Sequence, residues 1–254
     1  MMAEGDLGAL LEQMQRDWDA RAKENARFYV DTKKREWTDA EFFKSGEETA
    51  VQEILTDITN ICHGKNPKRM RVLEIGCGAG RVTRPLARIF GEVYAVDISR
   101  EMVRQARAAL ADLQNVHIFQ NNGKDLEVLG DQRFDFVFSS IVFQHIPSRE
   151  VIESYVRAVR RRLRRGCLFK FQVQGEPHDS AADTWVGVAL SLRDVREMAI
   201  RCDFEMRYSY GEGTQYFWLW YFRPRLTSRA WWQHRRYKLH LVRRRWRRVI
   251  GRLS

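Results

Sequence analysis

The sequence predicts an α/β protein built on a doubly wound, mostly parallel sheet of seven strands that ends in an antiparallel hairpin. Three observations carry this expectation. Short apolar runs alternate with segments of helical period between residues 72 and 173, the pattern of a parallel sheet with right-handed crossovers. The first of these runs meets a glycine-rich turn that opens a helix. After residue 173 two β-rich runs flank Gly211, Glu212, Gly213 and Thr214, and so short a connection demands an antiparallel pair.

The elements follow in order. Leu7, Leu10, Leu11, Met14 and Trp18 recur at helical spacing, which predicts a helix over residues 7–31, and residues 46–62 resemble a second. A polar linker, 63–69, leads to a strand over 72–75, a helix over 82–90 and a strand over 93–96. A helix at 101–113, strands at 116–119 and 134–139, a helix at 149–163 and a strand at 167–173 complete the alternation. Residues 175–188 lack period, Ser191 caps a helix that runs to Arg201, and residues 204–210 and 215–222 form the hairpin. The expected organisation is an N-terminal helical lid over 1–66, an α/β domain over 67–222 and a basic amphipathic tail, read as a helix, over 223–254.

Of 254 residues, 44% are hydrophobic and 30% charged, which excludes wholesale disorder. No apolar run is long enough to span a membrane, and acids stand where a signal peptide would be basic. The net charge of +11 is unevenly spread: residues 223–254 hold 12 of the 44 basic residues and no acid, leaving 32 basic against 33 acidic in the rest. Cys62, Cys77, Cys167 and Cys202 are widely spaced, with no metal-ligand pattern, as free thiols in a reducing cytoplasm would be.

The chemistry concentrates in residues 72–81, VLEIGCGAGR, where Glu74, Gly76, Gly78 and Gly80 alternate directly after a strand. Glycines there let the backbone approach a ligand, and the next helix offers free N–H groups. Asp97 ends the second strand 17 residues after Gly80, where an acid accepts both hydrogen bonds of a ribose diol. With these residues the sequence resembles the class I S-adenosylmethionine-dependent methyltransferases, a Rossmann-like family whose first motif is E-x-G-x-G-x-G and whose sheet has a reversed last strand. The likeness covers about residues 72–222.

The resemblance implies that S-adenosyl-L-methionine is the cofactor and that the motif residues with Asp97 hold it. It implies that Ile98 and Met102 flank the adenine, that Asn122, Gly123 and Asp125 lie near it, and that Ser139 and Ser140 lie near the methionine moiety. Cys77 belongs to the same shell, as a packed thiol and not a nucleophile. His145, after the fourth strand, is the candidate general base, with a purely structural role as the alternative.

His178, Asp179 and Trp185 either line an acceptor pocket or form a solvated loop; Gln215 and Tyr216 either border that pocket or begin a core strand. Trp18, Phe28 and Tyr29 are either lid or core stripe. The implied activity is methyl transfer, without a metal, to a small-molecule, saccharide or lipid-linked acceptor. A nucleic-acid-directed enzyme and a non-catalytic cofactor-binding protein are the rivals; the first ranks lower because SIVF, residues 140–143, stands where base-amino methyltransferases carry [ND]-PP-[YFW]. Residues 228–253, arginines with an apolar arc, are expected to lie on an anionic membrane surface, with packing on the protein itself or nucleic acid as the other readings. Oligomeric state is left open.

Overall fold

The structure is a computed structural model that describes residues 4–178 and 182–225. Asp179 and the amphipathic helix expected over 228–253 lie outside the described residues. The chain opens with helices α1 (Glu4–Val30), α2 (Asp39–Glu53) and the short α3 (Ile58–Cys62). The alternating body follows: β1 (Arg71–Ile75), α4 (Thr83–Ile89), β2 (Glu92–Asp97), α5 (Arg100–Ala109), β3 (Val116–Gln120), β4 (Phe134–Ser139), α6 (Arg149–Arg162) and β5 (Leu163–Val173). Helix α7 (Leu192–Arg201) and strands β6 (Glu205–Tyr210) and β7 (Phe217–Arg223) complete it.

All seven expected strands form one sheet, in the order β3-β2-β1-β4-β5-β7-β6. The first five pair in parallel, and β7 runs antiparallel between β5 and β6, from Val173 opposite Phe217 to Cys167 opposite Arg223. Strand alternation feeds two cores. On one face Leu73, Val137, Phe169, Phe171, Leu219 and Tyr221 pack beneath α6 and α7. On the other, Val72, Val93, Phe136, Phe138 and Leu168 pack with residues of α3 and α4.

Several element boundaries differ from the sequence expectation for identifiable reasons. Helix α2 starts at Asp39, not 46, because Thr38 and Glu41 form a reciprocal capping box: the Thr38 hydroxyl accepts the Glu41 N–H and the Glu41 carboxylate accepts the Thr38 N–H. Helix α1 breaks at Asn25 (φ −163°, ψ 82°), whose side-chain oxygen accepts the Phe28 N–H and so caps a second helical segment. Helix α5 ends at Ala109, short of 113. Strand β5 begins at Leu163, before Cys167, and β7 begins at Phe217, after Gln215 and Tyr216.

Gly46 sits inside α2, where glycine costs helix stability. The reason is tertiary: a Cβ there would run into the backbone carbonyl of Arg81, just after the glycine turn. We therefore expect Gly46→Ala to destabilise the protein by about 2 kcal/mol or more, although alanine favours a helix by about 1 kcal/mol. Denaturant unfolding of the two proteins measures this, and a more stable alanine variant would show that α2 does not need the close approach.

Candidate active site

The site is built where β1, β2 and β4 end. The backbone leaving β1 turns back at once: Gly76 and Cys77 donate N–H groups to the Val96 carbonyl at 2.7 and 3.1 Å, and Gly78 donates to Asp97 Oδ2 at 2.8 Å. Gly76, Gly78 and Gly80 take φ of 75°, 51° and 87°, values that L side chains rarely adopt. A Cβ at Gly76 would strike Val142, and one at Gly80 would strike Leu110. Gly80 therefore serves the packing of the turn on α5 and does not line the cleft, whereas Gly76, Cys77 and Gly78 do. The Cys77 thiol is buried, and burial pushes it well above its ordinary range, so it is no nucleophile at neutral pH.

Asp97 lies on the cleft floor. Its Oδ1 accepts the Ser99 N–H at 2.9 Å and its Oδ2 accepts Gly78, so each oxygen keeps a lone pair for a ligand. Burial raises this carboxyl to about 6, against the pull of the two backbone donors. Glu74, buried beneath the turn, accepts the Thr83 hydroxyl at 2.6 Å and is raised to about 7 by burial, with Thr83 and the Arg81 charge opposing. Arg81 is buried too; it pairs with Asp31 at 3.6 Å and donates to Ser45 and Thr49. Ile98 and Met102 both line the cleft beside Asp97.

The loop after β3 presents Asn121 to the cleft, next to the three residues expected near the adenine. Asn122 is exposed and ties its amide to Asp125, whose other oxygen accepts the Glu127 N–H, so both side chains are spent on the turn. Gly123 packs on Ile98 and Leu11. None of the three lines the cleft. The neighbour Asn121 does: it donates to the Tyr155 hydroxyl at 2.7 Å, and its buried Oδ1 has no partner among the described residues. After β4 one of the two expected serines faces the cleft. Ser139 turns inward and donates to the Ile75 carbonyl at 2.8 Å, away from the cleft, while Ser140 lines it.

His145 reaches the cleft, but its surroundings do not suit a general base. Burial lowers it to about 4. Its Nδ1 is 2.5 Å from the Trp185 carbonyl, which can only accept, so Nδ1 carries the proton. Its Nε2 lies 3.2 Å from the Gln144 amide nitrogen. That amide is oriented in turn: Gln172 accepts the Ile141 N–H through Oε1 and donates through Nε2 to the Gln215 carbonyl and to Gln144 Oε1. Gln144 is left to donate to Nε2, and both ring nitrogens are engaged.

The mouth of the cleft is aromatic. His145 stacks on Trp185 at 5.1 Å and meets Trp18 edge-on at 5.2 Å, and Tyr29 meets Trp185 edge-on at 5.7 Å. The Arg21 guanidinium lies over Trp18 and Trp185, at 4.8 and 5.3 Å, and donates to the carbonyl and hydroxyl of Thr184. The irregular segment before α7 is held in place by Gly187 and Val188, which donate to the carbonyls of Gln144 and Ile146. Met14, Trp18, Tyr29 and Val30 thus bring α1 over the site, whereas Phe28 does not line it. His178 is exposed beside Gln174, and Tyr216 is exposed, with residues 217–222 mostly in the sheet core. Among the described residues no cluster of side chains has metal-ligating character.

A carboxyl whose folded pKa is raised favours the folded state below its unfolded value and loses that advantage as pH rises through the folded value. For Glu74 the window is about pH 4.5 to 7. Glu74→Gln, which keeps an acceptor for Thr83, should therefore match wild type near pH 4 and exceed it by about 2–3 kcal/mol at pH 8. Thermal melts across pH test this, and a wild type that is the more stable protein at pH 8 would make the charged carboxylate a stabilising partner of Arg81.

Comparison with known proteins agrees with this geometry. Residues 72–166 match a family model described as a methyltransferase domain. A ubiquinone biosynthesis O-methyltransferase of Xanthomonas oryzae pv. oryzae (strain PXO99A) is 30% identical over 117 residues, 41% of this chain and 48% of the relative. A protein-L-isoaspartate O-methyltransferase of Anaeromyxobacter dehalogenans is 45% identical over 56 residues, 21% of this chain and 27% of the relative. The chain spans about half the length of the first of these relatives or less. In fold, it is similar to DhpI in its SAH complex, with TM-score 0.60, 22% identity and coverage of 85% of this chain and 97% of that one. Magnesium protoporphyrin IX methyltransferase of Synechocystis PCC 6803 gives TM-score 0.59 at 16% identity, covering 82% and 95%. The methyltransferase-domain match starts in the first strand, and the sheet order with its reversed β7 gives the chain the Rossmann-like fold of the S-adenosylmethionine-dependent methyltransferases it is similar to.

Proposed function

We propose that the protein transfers a methyl group from S-adenosylmethionine to an acidic oxygen of a small acceptor with a planar, apolar portion. The observation that carries the cofactor is the Asp97 carboxylate, pinned by two backbone N–H groups on the cleft floor with lone pairs to spare for a diol. The rest of the cleft fits the same group. The turn from Gly76 to Gly78 leaves room at the backbone, Ile98 and Met102 offer apolar walls, and the orphaned Asn121 Oδ1 is an acceptor in want of an amine or N–H. Ser140 and Glu74 line the same cleft and suit the polar end of the methionine moiety.

A sulfonium methyl is already electrophilic, so the cofactor supplies the activated carbon and the protein has mainly to position the acceptor. The chain's residues suit that division. Trp18, Tyr29 and His145, each packed on Trp185, form walls against which a flat, apolar acceptor can pack. Arg21 places a cation at the mouth that attracts an acceptor carrying negative charge. His145, neutral and engaged at both nitrogens, fixes the wall and takes no proton, which favours an acceptor oxygen acidic enough to arrive ionised. The oxygen-methylating relatives support this choice of nucleophile.

Calorimetry should detect binding of S-adenosylmethionine and of its demethylated product, with Asp97→Ala weakening both by ~30- to 150-fold, about 2–3 kcal/mol. Because donors prefer the ionised carboxylate, wild-type affinity should fall as pH drops through about 6, by up to about tenfold per unit, and the variant should lack this slope. Equal affinities at pH 7.5 would remove Asp97 from the ribose position. With an acceptor in hand, His145→Ala should raise KM by about tenfold while the pH profile of kcat keeps its shape. A kcat limb near pH 6.5 that disappears in the variant would instead make His145 the base.

A further inference from the structure

The glycine turn runs into an arginine whose surroundings leave part of its donor set idle. Arg81 follows Gly80 and is 4% exposed. Helix α2 comes close to it because Gly46 has no side chain, and this sets Ser45 and Thr49 on the guanidinium. Nη1 donates to the Ser45 carbonyl at 3.2 Å and to the Thr49 hydroxyl at 2.9 Å. The same nitrogen lies 3.6 Å from Asp31 Oδ2, an ion pair too long to be a hydrogen bond. The buried Nε has no partner among the described residues. Burial lowers the hold of this group on its proton, and the charges of Asp31 and Glu74 oppose that. A guanidinium stays ionised all the same, so the protein buries a cation without a hydrogen-bonded carboxylate and with one donor unmatched.

The place of Arg81 in the cleft says what completes it. It lines the cleft with Glu74, Gly76, Cys77 and Gly78, and among the described residues that do so it is the one lysine or arginine. Arg21 stands instead at the aromatic mouth, over Trp18 and Trp185. Asp97, Ile98 and Met102 suit a nucleoside, which leaves the amino-acid end of the cofactor, one carboxylate and one ammonium, for the remaining polar groups. We propose that Arg81 anchors the carboxylate of S-adenosylmethionine through its Nε edge while Nη1 keeps its hold on α2. This rests on reading the cleft as the site of that cofactor. The planar fork of a guanidinium matches a carboxylate in shape as well as charge, and a buried fork gains most from one. Glu74, on which the Arg81 charge acts, then faces the ammonium, so the two ends of the zwitterion meet opposite charges. Asp31, the residue after α1, draws on the same cation from the Nη1 side and so competes with the ligand for it.

Calorimetry on the full chain compares S-adenosylmethionine with its decarboxylated form, which keeps the nucleoside, sulfonium and ammonium and lacks only the carboxylate. Wild type should bind the first about 30-fold more tightly. Arg81→Gln should bind the two within about threefold of each other, its loss falling on the carboxylated ligand. Arg81→Lys keeps the charge without the fork and should recover part of the preference. Thr49→Val disturbs the guanidinium from the α2 side only; it should weaken both ligands alike and keep the preference, as a purely structural effect does. Asp31→Asn leaves Arg81 in place and lifts the competing charge, so it should widen the preference by about threefold whether or not the Arg81 variants fold. A full preference in Arg81→Gln, or an unchanged or narrower one in Asp31→Asn, would overturn the proposal. Equal binding of the two ligands by wild type would remove Arg81 from the carboxylate and leave the cofactor reading standing, whereas binding of neither would remove both.

Discussion

The hydrogen bond from the Gly78 N–H to the Asp97 carboxylate is the contact on which the rest of the site depends. With the two bonds from Gly76 and Cys77 to the Val96 carbonyl, it fastens the turn after β1 to the end of β2. Parallel neighbours cannot be joined by a tight hairpin, so this stitch is what brings their ends into one surface. The close packing around it admits no side chain: α5 reaches Gly80 through Leu110, and α2 reaches the carbonyl of Arg81 through Gly46. Fold and site therefore share their most constrained backbone, and the site is held by elements that also bury the core.

The same concentration of carboxylates in a poorly solvated place costs stability. Glu74 and Asp97 both stand above the ordinary carboxylate range because burial outweighs their donors, and Arg81, close to Glu74, divides its charge with Asp31. Such an arrangement is common where binding is the purpose, since a ligand with donors or positive charge recovers what folding gave up. Ile141 fits this picture. It is a β-branched residue at φ 58° on the cleft wall, held there by the Gln172 side chain that accepts its N–H.

Much of this was legible in the chain because it follows from local spacing. The parallel strands and reversed hairpin came from alternation and the 211–214 connection, and Glu74, the glycines and Asp97 from distances along one strand–turn–helix–strand unit. The misplacements have two sources. Where choice lay between adjacent residues, Asn121 or Asn122 and Ser139 or Ser140, the irregular backbone at a strand end decides which side chain faces the cleft, and sequence period does not extend there. The cap at Thr38 and Glu41, by contrast, was a readable signal that begins α2 where the chain begins it. His145 lay beyond local reasoning altogether: burial lowers its basicity against the Trp185 carbonyl, 40 residues on, and an amide relay through Gln172 on the next strand engages its second nitrogen.

The link between Asp17 and Thr184 has a bearing on how the molecule is made. The Thr184 hydroxyl donates to Asp17 across 167 residues of sequence, and Arg21 reaches the same threonine across 163. Contacts so distant along the chain are slow to find, and none can form until the segment before α7 has left the ribosome and settled on Gln144 and Ile146. Helix α1 can meet α5 early through Asp19 and Ser99, but its contacts across the entrance wait for that later segment, so the entrance to the cleft is completed after the floor that it covers.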